Sequence, residues 1–364
     1  MVSRVLYVSY DGLLDPLGQA QILPYVRALA RGGTRFSLLT FEKPGVLRTR
    51  GGELVFWRRQ LAAEGIAWTA LRYTKRPPAL STAWDIARGI AVGLRLARRV
   101  DAQVVHARSY VAAVIGRTVA VRVGARFLFD LRGMWPEERV DGGLWPAGGW
   151  RYRVAKRVER GLVREADALV TLTERHARNF SRLVTVIPCG VEPERFAEPN
   201  QHTVSPGPIP LLIYAGSLGT RYRGDAMKAF AAHRGYTLWV LTGTASALVP
   251  TALARAWAGL CFVEPGTSGA GVWPVKVSEY LAAGLPVVVN AGLGDLDDFI
   301  PRHRVGVVVK GFDPVSYADG WERLEALTAD PDLRARCRAV AREYLSVARG
   351  VAQYRALYDK LGIR

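Results

Sequence analysis

Cysteine is scarce and scattered in this chain of 364 residues: three in all, Cys189, Cys261 and Cys337, with no CxxC pair. Isolated thiols in odd number exclude a disulfide framework and a cysteine-rich zinc site, and they fit a reducing compartment. Histidine is nearly as sparse, with five residues. His106, in "VVHARS", has no second histidine or acidic cluster at ligand spacing, so no metal is expected and the ring reads as a core or hydrogen-bonding group. The GxGxxG fingerprint of a dinucleotide site is missing, which disfavours an oxidoreductase. No apolar run approaches the ~18 residues of a membrane span. The opening "MVSRVLYVSYDG" lacks a signal-peptide cleavage region and reads as a first buried strand, so the expected location is the cytoplasm.

Positive charge, by contrast, is abundant, almost all of it arginine. The formal charge is +18, and it is uneven: residues 1–200 hold 32 Lys/Arg against 18 Asp/Glu, residues 201–364 hold 18 against 14. An arginine- and alanine-rich composition is partly a mark of GC-rich coding; the other reading is an anionic partner, either phosphates or an acidic membrane surface. Nucleic acid is not expected, because the arginines are scattered over helices and no reading motif accompanies them.

Apolar strands alternate with amphipathic helices from the start: "VLYVSY" (5–10), "FSLLTF" (36–41), "IAWTALRY" (66–73), "AQVVHA" (102–107), "RFLFDL" (126–131), "ALVTLT" (168–173) and "LVTVIP" (183–188). Alternation at this spacing predicts a parallel, doubly wound α/β sheet. The proline-rich "AEPNQHTVSPGPIP" (197–210) breaks it, and a second array begins at "LLIYAGS" (211–217) and runs to "VGVVVK" (305–310). We therefore expect two Rossmann-like domains facing across a cleft: residues 1–196, a linker 197–210, residues 211–345, and a last helix over 346–364. In such sheets ligands bind at the carboxyl ends of the strands.

Three stretches carry chemistry. "DGLLDPLGQAQ" (11–21) is a glycine-bearing loop entering a helix, a place where backbone N–H groups can meet a pyrophosphate or simply make an ordinary turn. "FDLRGMWPEERVDGGLW" (129–145) crowds Asp130, Arg132, Glu137, Glu138, Arg139 and Asp141 around Trp135 at a strand end. "GTSGAGVWPVKVSEYLAAGLPVVVNAGLGD" (266–295) runs a glycine-rich loop into a proline-started helix, with Lys276 and Glu279 on one face. Lys276 can neutralise a phosphate there and Glu279 can accept hydrogen bonds from vicinal hydroxyls; a plain surface ion pair is the alternative.

Together with "YAGSLGTRYRGDAM" (214–227) and the terminal "VAQYRALYDKLGI" (351–363), these motifs resemble, in order and over nearly the whole chain, the family 4 glycosyltransferases of the two-Rossmann (GT-B) fold. The resemblance implies transfer of a sugar from a nucleotide-diphosphate sugar to an acceptor hydroxyl, with retained configuration and without a metal or other cofactor. It assigns Glu279 to the donor ribose and Lys276 to the diphosphate. Gly18 and Gln19 fall in the loop that approaches the donor phosphates; Gly216, Ser217, Arg221 and Arg223 follow the first strand of the second domain, where the family binds phosphate. Arg132 falls where many members carry a catalytic-site histidine. The family's earlier glutamate, eight positions before Glu279, is Gly271 here, which leaves the donor sugar's contacts open. The expected partners are a nucleotide-sugar donor, a glycan or lipid-linked glycan acceptor, and an anionic membrane at the inner face of the cell. The basic amphipathic segment 81–100 is the expected membrane contact, with the solvated face of a sheet-covering helix as its alternative. A nucleotide-sugar epimerase or a non-catalytic relative on the same fold is the rival reading.

Overall fold

A computed structural model describes residues 3–74, 76–196, 211–219, 221–242 and 248–361. The linker at 197–210 lies outside the described residues, as do residues 243–247. Two parallel sheets form the frame. The first holds β1 (Arg4–Ser9), β2 (Arg35–Glu42), β3 (Ile66–Arg72), β4 (Val104–Arg108), β5 (Arg126–Asp130), β6 (Ala168–Thr171) and β7 (Thr185–Val186), in the order β3-β2-β1-β4-β5-β6-β7. The second holds β8 (Leu212–Ala215), β9 (Leu238–Leu241), β10 (Ala258–Cys261), β11 (Val287–Asn290) and β12 (Gly306–Val309), in the order β12-β11-β10-β8-β9. This is the two-domain α/β architecture expected from the sequence.

The strands are mostly apolar because helices cover both faces of each sheet, with polar residues gathered toward the strand ends. Successive side chains feed opposite layers. In β1, Val5 and Tyr7 join one core while Leu6 and Val8 join the other. In β11, Val287 and Val289 face one layer and Val288 the other.

The chain crosses between the domains twice at one place. Val191 accepts from Val347 N–H and donates to the Leu345 carbonyl, both at 2.8 Å. The last helix, Val347–Lys360, then lies on the first domain. Its Val347, Val351, Tyr354 and Tyr358 recur at helical spacing and complete the core around Tyr25 and Phe36. On the helix Pro78–Val100, Ile86, Ile90, Leu94 and Leu96 pack against the sheet, and Arg88 pairs with Asp85. The segment expected to meet a membrane thus spends most of its apolar face on its own domain, leaving Trp84 and Leu80 outside.

Candidate active site

The helix Val275–Ala282 sits at the carboxyl end of the second sheet. Tyr280 anchors it: the hydroxyl accepts from Ala215 N–H at 2.9 Å, and the ring lies where a Cβ on Gly259 would be only 2.3 Å away. From the first domain, the Cys189 carbonyl accepts from Ser278 Oγ at 2.6 Å. So fixed, the helix presents Lys276 and Glu279 one turn apart, both half-buried.

Lys276 lies in a slot made by glycine and tyrosine. Its Nζ is 4.1 Å from the Tyr222 ring centre and 5.3 Å from that of Tyr214, close enough for cation–π attraction. Gly216 (φ 136°) forms the other wall; a Cβ there would meet Lys276 Cε at 2.5 Å. Burial works against the lysine's charge, yet its pKa is raised, and the two tyrosine rings favour the ammonium at neutral pH. Burial pushes the Glu279 carboxyl up, and Lys276 and Arg195 offset this only in part, so its pKa is raised. A cation and a carboxylate are thereby held apart along one wall, able to take an anion and a diol. Ser217 is exposed beside them, its carbonyl accepting from Tyr214 Oη at 2.8 Å.

The arginines after β8 diverge. Arg221 reaches the first domain, pairing with Glu138 at 2.8 Å and approaching Ser268 Oγ at 3.5 Å. Arg223 turns to Asp225 (2.7 Å), Glu264 (3.3 Å) and the Phe312 ring. They do not form one basic pair in this state.

The glycine-rich loop is a contact between domains. Its Ser268 N–H donates to Asp141 at 2.7 Å, and Thr173 Oγ1 donates to the Ala270 carbonyl at 2.6 Å. Asp295 accepts from Glu174 N–H and Arg175 N–H at 2.7 and 2.9 Å. Gly271 lies against Met134 and His176: a Cβ would stand 2.7 Å from Met134 Cγ and 3.3 Å from His176 Nδ1. Any side chain at 271 would force Met134 to shift. That is the physical reason glycine fits here.

In the first domain, Gly18 allows the helix Pro16–Gln21 to touch the preceding loop, since a Cβ would lie 2.1 Å from the Gly12 carbonyl. Gln19 donates to the Leu13 carbonyl at 2.8 Å. Two N–H groups of that loop are already taken: Glu42, fully buried, accepts from Leu13 at 2.7 Å and Leu14 at 3.1 Å. Glu42 therefore shapes the loop from within. Gln19 also lines a cavity of about 200 Å³ with Arg27, Arg31, Glu192 and Arg195, and Arg195 is the arginine whose charge reaches Glu279.

Arg132 lies elsewhere. It follows β5 with φ 56° and points inward, donating to the Ile187 carbonyl at 3.2 Å and approaching Gln21 Oε1 at 3.4 Å and Cys189 Sγ at 3.5 Å. It belongs to a buried cluster centred on Asp130, which accepts from Tyr354 Oη at 2.8 Å. His106 Nε2 is 3.5 Å and Arg108 3.9 Å from the same carboxylate, and His106 Nδ1 is 2.8 Å from Tyr358 Oη. His106 is thus a hydrogen-bonded core residue. Nearby Ser109 (φ 68°, ψ 176°) holds a conformation unusual for serine, and strain of this kind gathers at functional sites. Sequence reasoning missed Tyr222, Thr173, His176 and Asp295, and it missed what Tyr354 and Tyr358 bind, although their four-residue spacing on one helix was a signal.

His176 is buried, and burial holds its pKa down to about 4; Glu137 raises it slightly and Lys156 lowers it. The unfolded imidazole titrates near 6.5, so between these values the unfolded chain binds the extra proton. Stability is full above about pH 6.5 and falls toward pH 4, by on the order of 2–3 kcal/mol from this residue. His176→Asn should flatten that slope in denaturant unfolding compared at neutral and acid pH. An unchanged slope would show that His176 is not the titrating group.

Among the described residues, no three His, Cys, Asp or Glu side chains gather as a metal site, and no helix is long and apolar enough to cross a membrane. Residues 18–190 match the glycosyl transferase 4-like domain. No curated protein matches the sequence. Solved structures do share the fold. Sucrose-phosphate synthase of Thermosynechococcus elongatus superposes with a TM-score of 0.72 at 14% identity, over 99% of both chains. HepE of Anabaena, in complex with UDP and glucose, gives 0.68 at 12% identity over 98% of this chain and 100% of that one. A Listeria monocytogenes protein described as a UDP-N-acetylglucosamine 2-epimerase gives 0.60 at 10% identity, over 98% and 95%.

Proposed function

We propose, for a chain whose residues 18–190 belong to the glycosyl transferase 4-like domain family and whose two sheets take the GT-B fold, that it moves a sugar from a nucleotide-diphosphate sugar to an acceptor hydroxyl. The observation that carries this reading is the Gly216–Lys276–Glu279 wall: a lysine kept charged in a half-buried slot, with a carboxylate one turn away. The chemical demand is to stabilise a departing diphosphate while the anomeric carbon becomes cationic. A fixed ammonium in a partly desolvated site answers that demand. Glu279 grips the ribose, as carboxylates do with vicinal hydroxyls. Arg221 joins the phosphates by exchanging Glu138 for them, a swap that its place between the domains permits.

The configuration is retained in this reading, the diphosphate oxygen itself taking the acceptor's proton on the face from which it leaves, with no metal or protein nucleophile in the step. The acceptor is a glycan or a lipid-linked glycan presented at the inner face of the membrane. Closure of the domains excludes water from the donor.

Epimerisation on the same fold is the second reading, prompted by the Listeria neighbour. A thermal-shift panel of UDP-, GDP-, CDP- and dTDP-sugars tests donor binding; a donor at a hundred times its Kd should stabilise by about 2.7 kcal/mol. Release of the nucleoside diphosphate that requires an added glycan acceptor supports transfer. Conversion of the donor into its epimer with no net release of nucleoside diphosphate favours the epimerase, and no stabilisation by any of the four donors overturns both.

A further inference from the structure

The helix Trp150–Glu165 has an outer face that the fold does not use. Its Glu159 and Leu162 are buried against the domain, yet Trp150, Val154 and Val158 are 66, 54 and 42% exposed. They recur every four residues and so form one stripe. Beside it runs a second stripe, Arg153, Arg157, Arg160 and Arg164, all exposed, spaced by four, three and four residues. The two acidic side chains of the helix leave this charge almost uncompensated. Glu159 is turned inward, bound by Tyr110 Oη at 2.8 Å and by Lys156, and Glu165 pairs with Arg117, with only Arg164 touching its other oxygen.

Single exposed apolar residues are ordinary, but an apolar stripe flanked by a cationic one marks an interaction face. We propose that this face docks the protein on an anionic lipid bilayer. A tryptophan and two valines suit the boundary between headgroups and acyl chains, and arginines beside them suit acidic headgroups. A polyanion without apolar depth, such as a nucleic acid, would leave the stripe of Trp150, Val154 and Val158 unexplained.

The position gives the docking a consequence. Tyr152 and Lys156 on this helix hold Glu137, at 3.1 and 2.9 Å, and its neighbour Glu138 bridges to Arg221 of the second domain. The membrane face is therefore one short helix away from the mouth of the cleft, so a lipid-borne acceptor would reach the site without leaving the leaflet. Attachment by this face does not depend on the transfer chemistry, and the two can fail separately.

Co-sedimentation of the full chain with vesicles tests the surface. Vesicles of phosphatidylcholine containing about a third phosphatidylglycerol should bind it, and pure phosphatidylcholine should not. The triple variant R153E/R157E/R160E should weaken binding on the order of a hundredfold, because each cation near an anionic leaflet contributes about fivefold. W150S/V154S should weaken it about tenfold or more. V55S/F56S, on the exposed apolar face of the helix Glu53–Ala63, is the control and should bind as wild type. Equal binding to both vesicle types, wild-type binding by the helix 150–165 variants, or loss of binding by the control alone would each overturn the assignment. Circular dichroism and melting of every variant separate lost docking from lost fold.

Discussion

Lys276→Ala is expected to lower the turnover of sugar transfer by about a thousandfold, with an unchanged melting temperature. The lysine is not part of either apolar core; it fills the slot between Gly216 and the Tyr222 ring. Removing it leaves Gly216 and Tyr222 packed where they are, so the fold has little to lose. The transition state loses the fixed cation facing the leaving diphosphate, an interaction stronger there than in the ground state, and kcat should therefore fall rather than KM rise. Lys276→Arg should not rescue, because the planar guanidinium needs room that the Gly216 wall denies. Glu279→Ala should instead act mainly through the donor's KM, since a ribose contact is made equally before and during the reaction. Lys276→Ala turnover within tenfold of wild type would remove Lys276 from the reaction.

How much of this was legible beforehand follows from the kind of signal each part leaves. Strands covered on both faces are largely apolar runs, so those of the first sheet appear in the sequence as such, with edges displaced by a residue or two. The helix Tyr110–Val123 left no such mark. Its five valines read like strand, and it is apolar on most sides because it is wedged between β4, β5 and the helix Pro78–Val100. Gly116 lets it approach: a Cβ there would stand 2.7 Å from that of Ala107. Tertiary packing overrode local preference.

The candidate site divides the same way. Lys276 and Glu279 are three residues apart, so their shared face could be read directly. The gap at Gly271 was visible too, but its cause, the approach of Met134 and His176, is a contact between domains with no local trace. The charged loop after β5 stands out in the sequence at a strand end, yet its members part company. Glu138 and Asp141 cross to the second domain, Glu137 turns to Lys156, and Asp130 and Arg132 sink beneath the last helix. Sequence gives composition at a strand end; which way each side chain goes depends on partners from 19 to 224 residues away.

Asp130→Ala should be the most destabilising change among the polar residues, costing about 3–5 kcal/mol. The carboxylate is fully buried and lies within 4 Å of three groups that are or can be cationic, Arg132, Arg108 and His106. Burial alone would raise its pKa, but Arg132, His106 and Arg108 outweigh that and hold it low, so Asp130 stays ionised. Without it two buried guanidinium groups face each other with no anion between them, which is worse than a cluster that never existed. The damage should also spread along the chain, because Tyr354 Oη donates to this carboxylate at 2.8 Å from the last helix. A fall in melting temperature on the order of 10 °C is expected, together with faster proteolysis within 347–360. Asp130→Asn keeps an acceptor for Tyr354 but not the charge, and should fall between alanine and wild type. The sign with pH follows from the lowered pKa: this contribution is complete above the unfolded carboxyl's value near 3.9 and disappears as pH falls through the folded one, so acid should narrow the gap between Asp130→Ala and wild type. A melting temperature within a degree or two of wild type would mean that the arginines find other partners and that Asp130 is not what ties the last helix to the first domain.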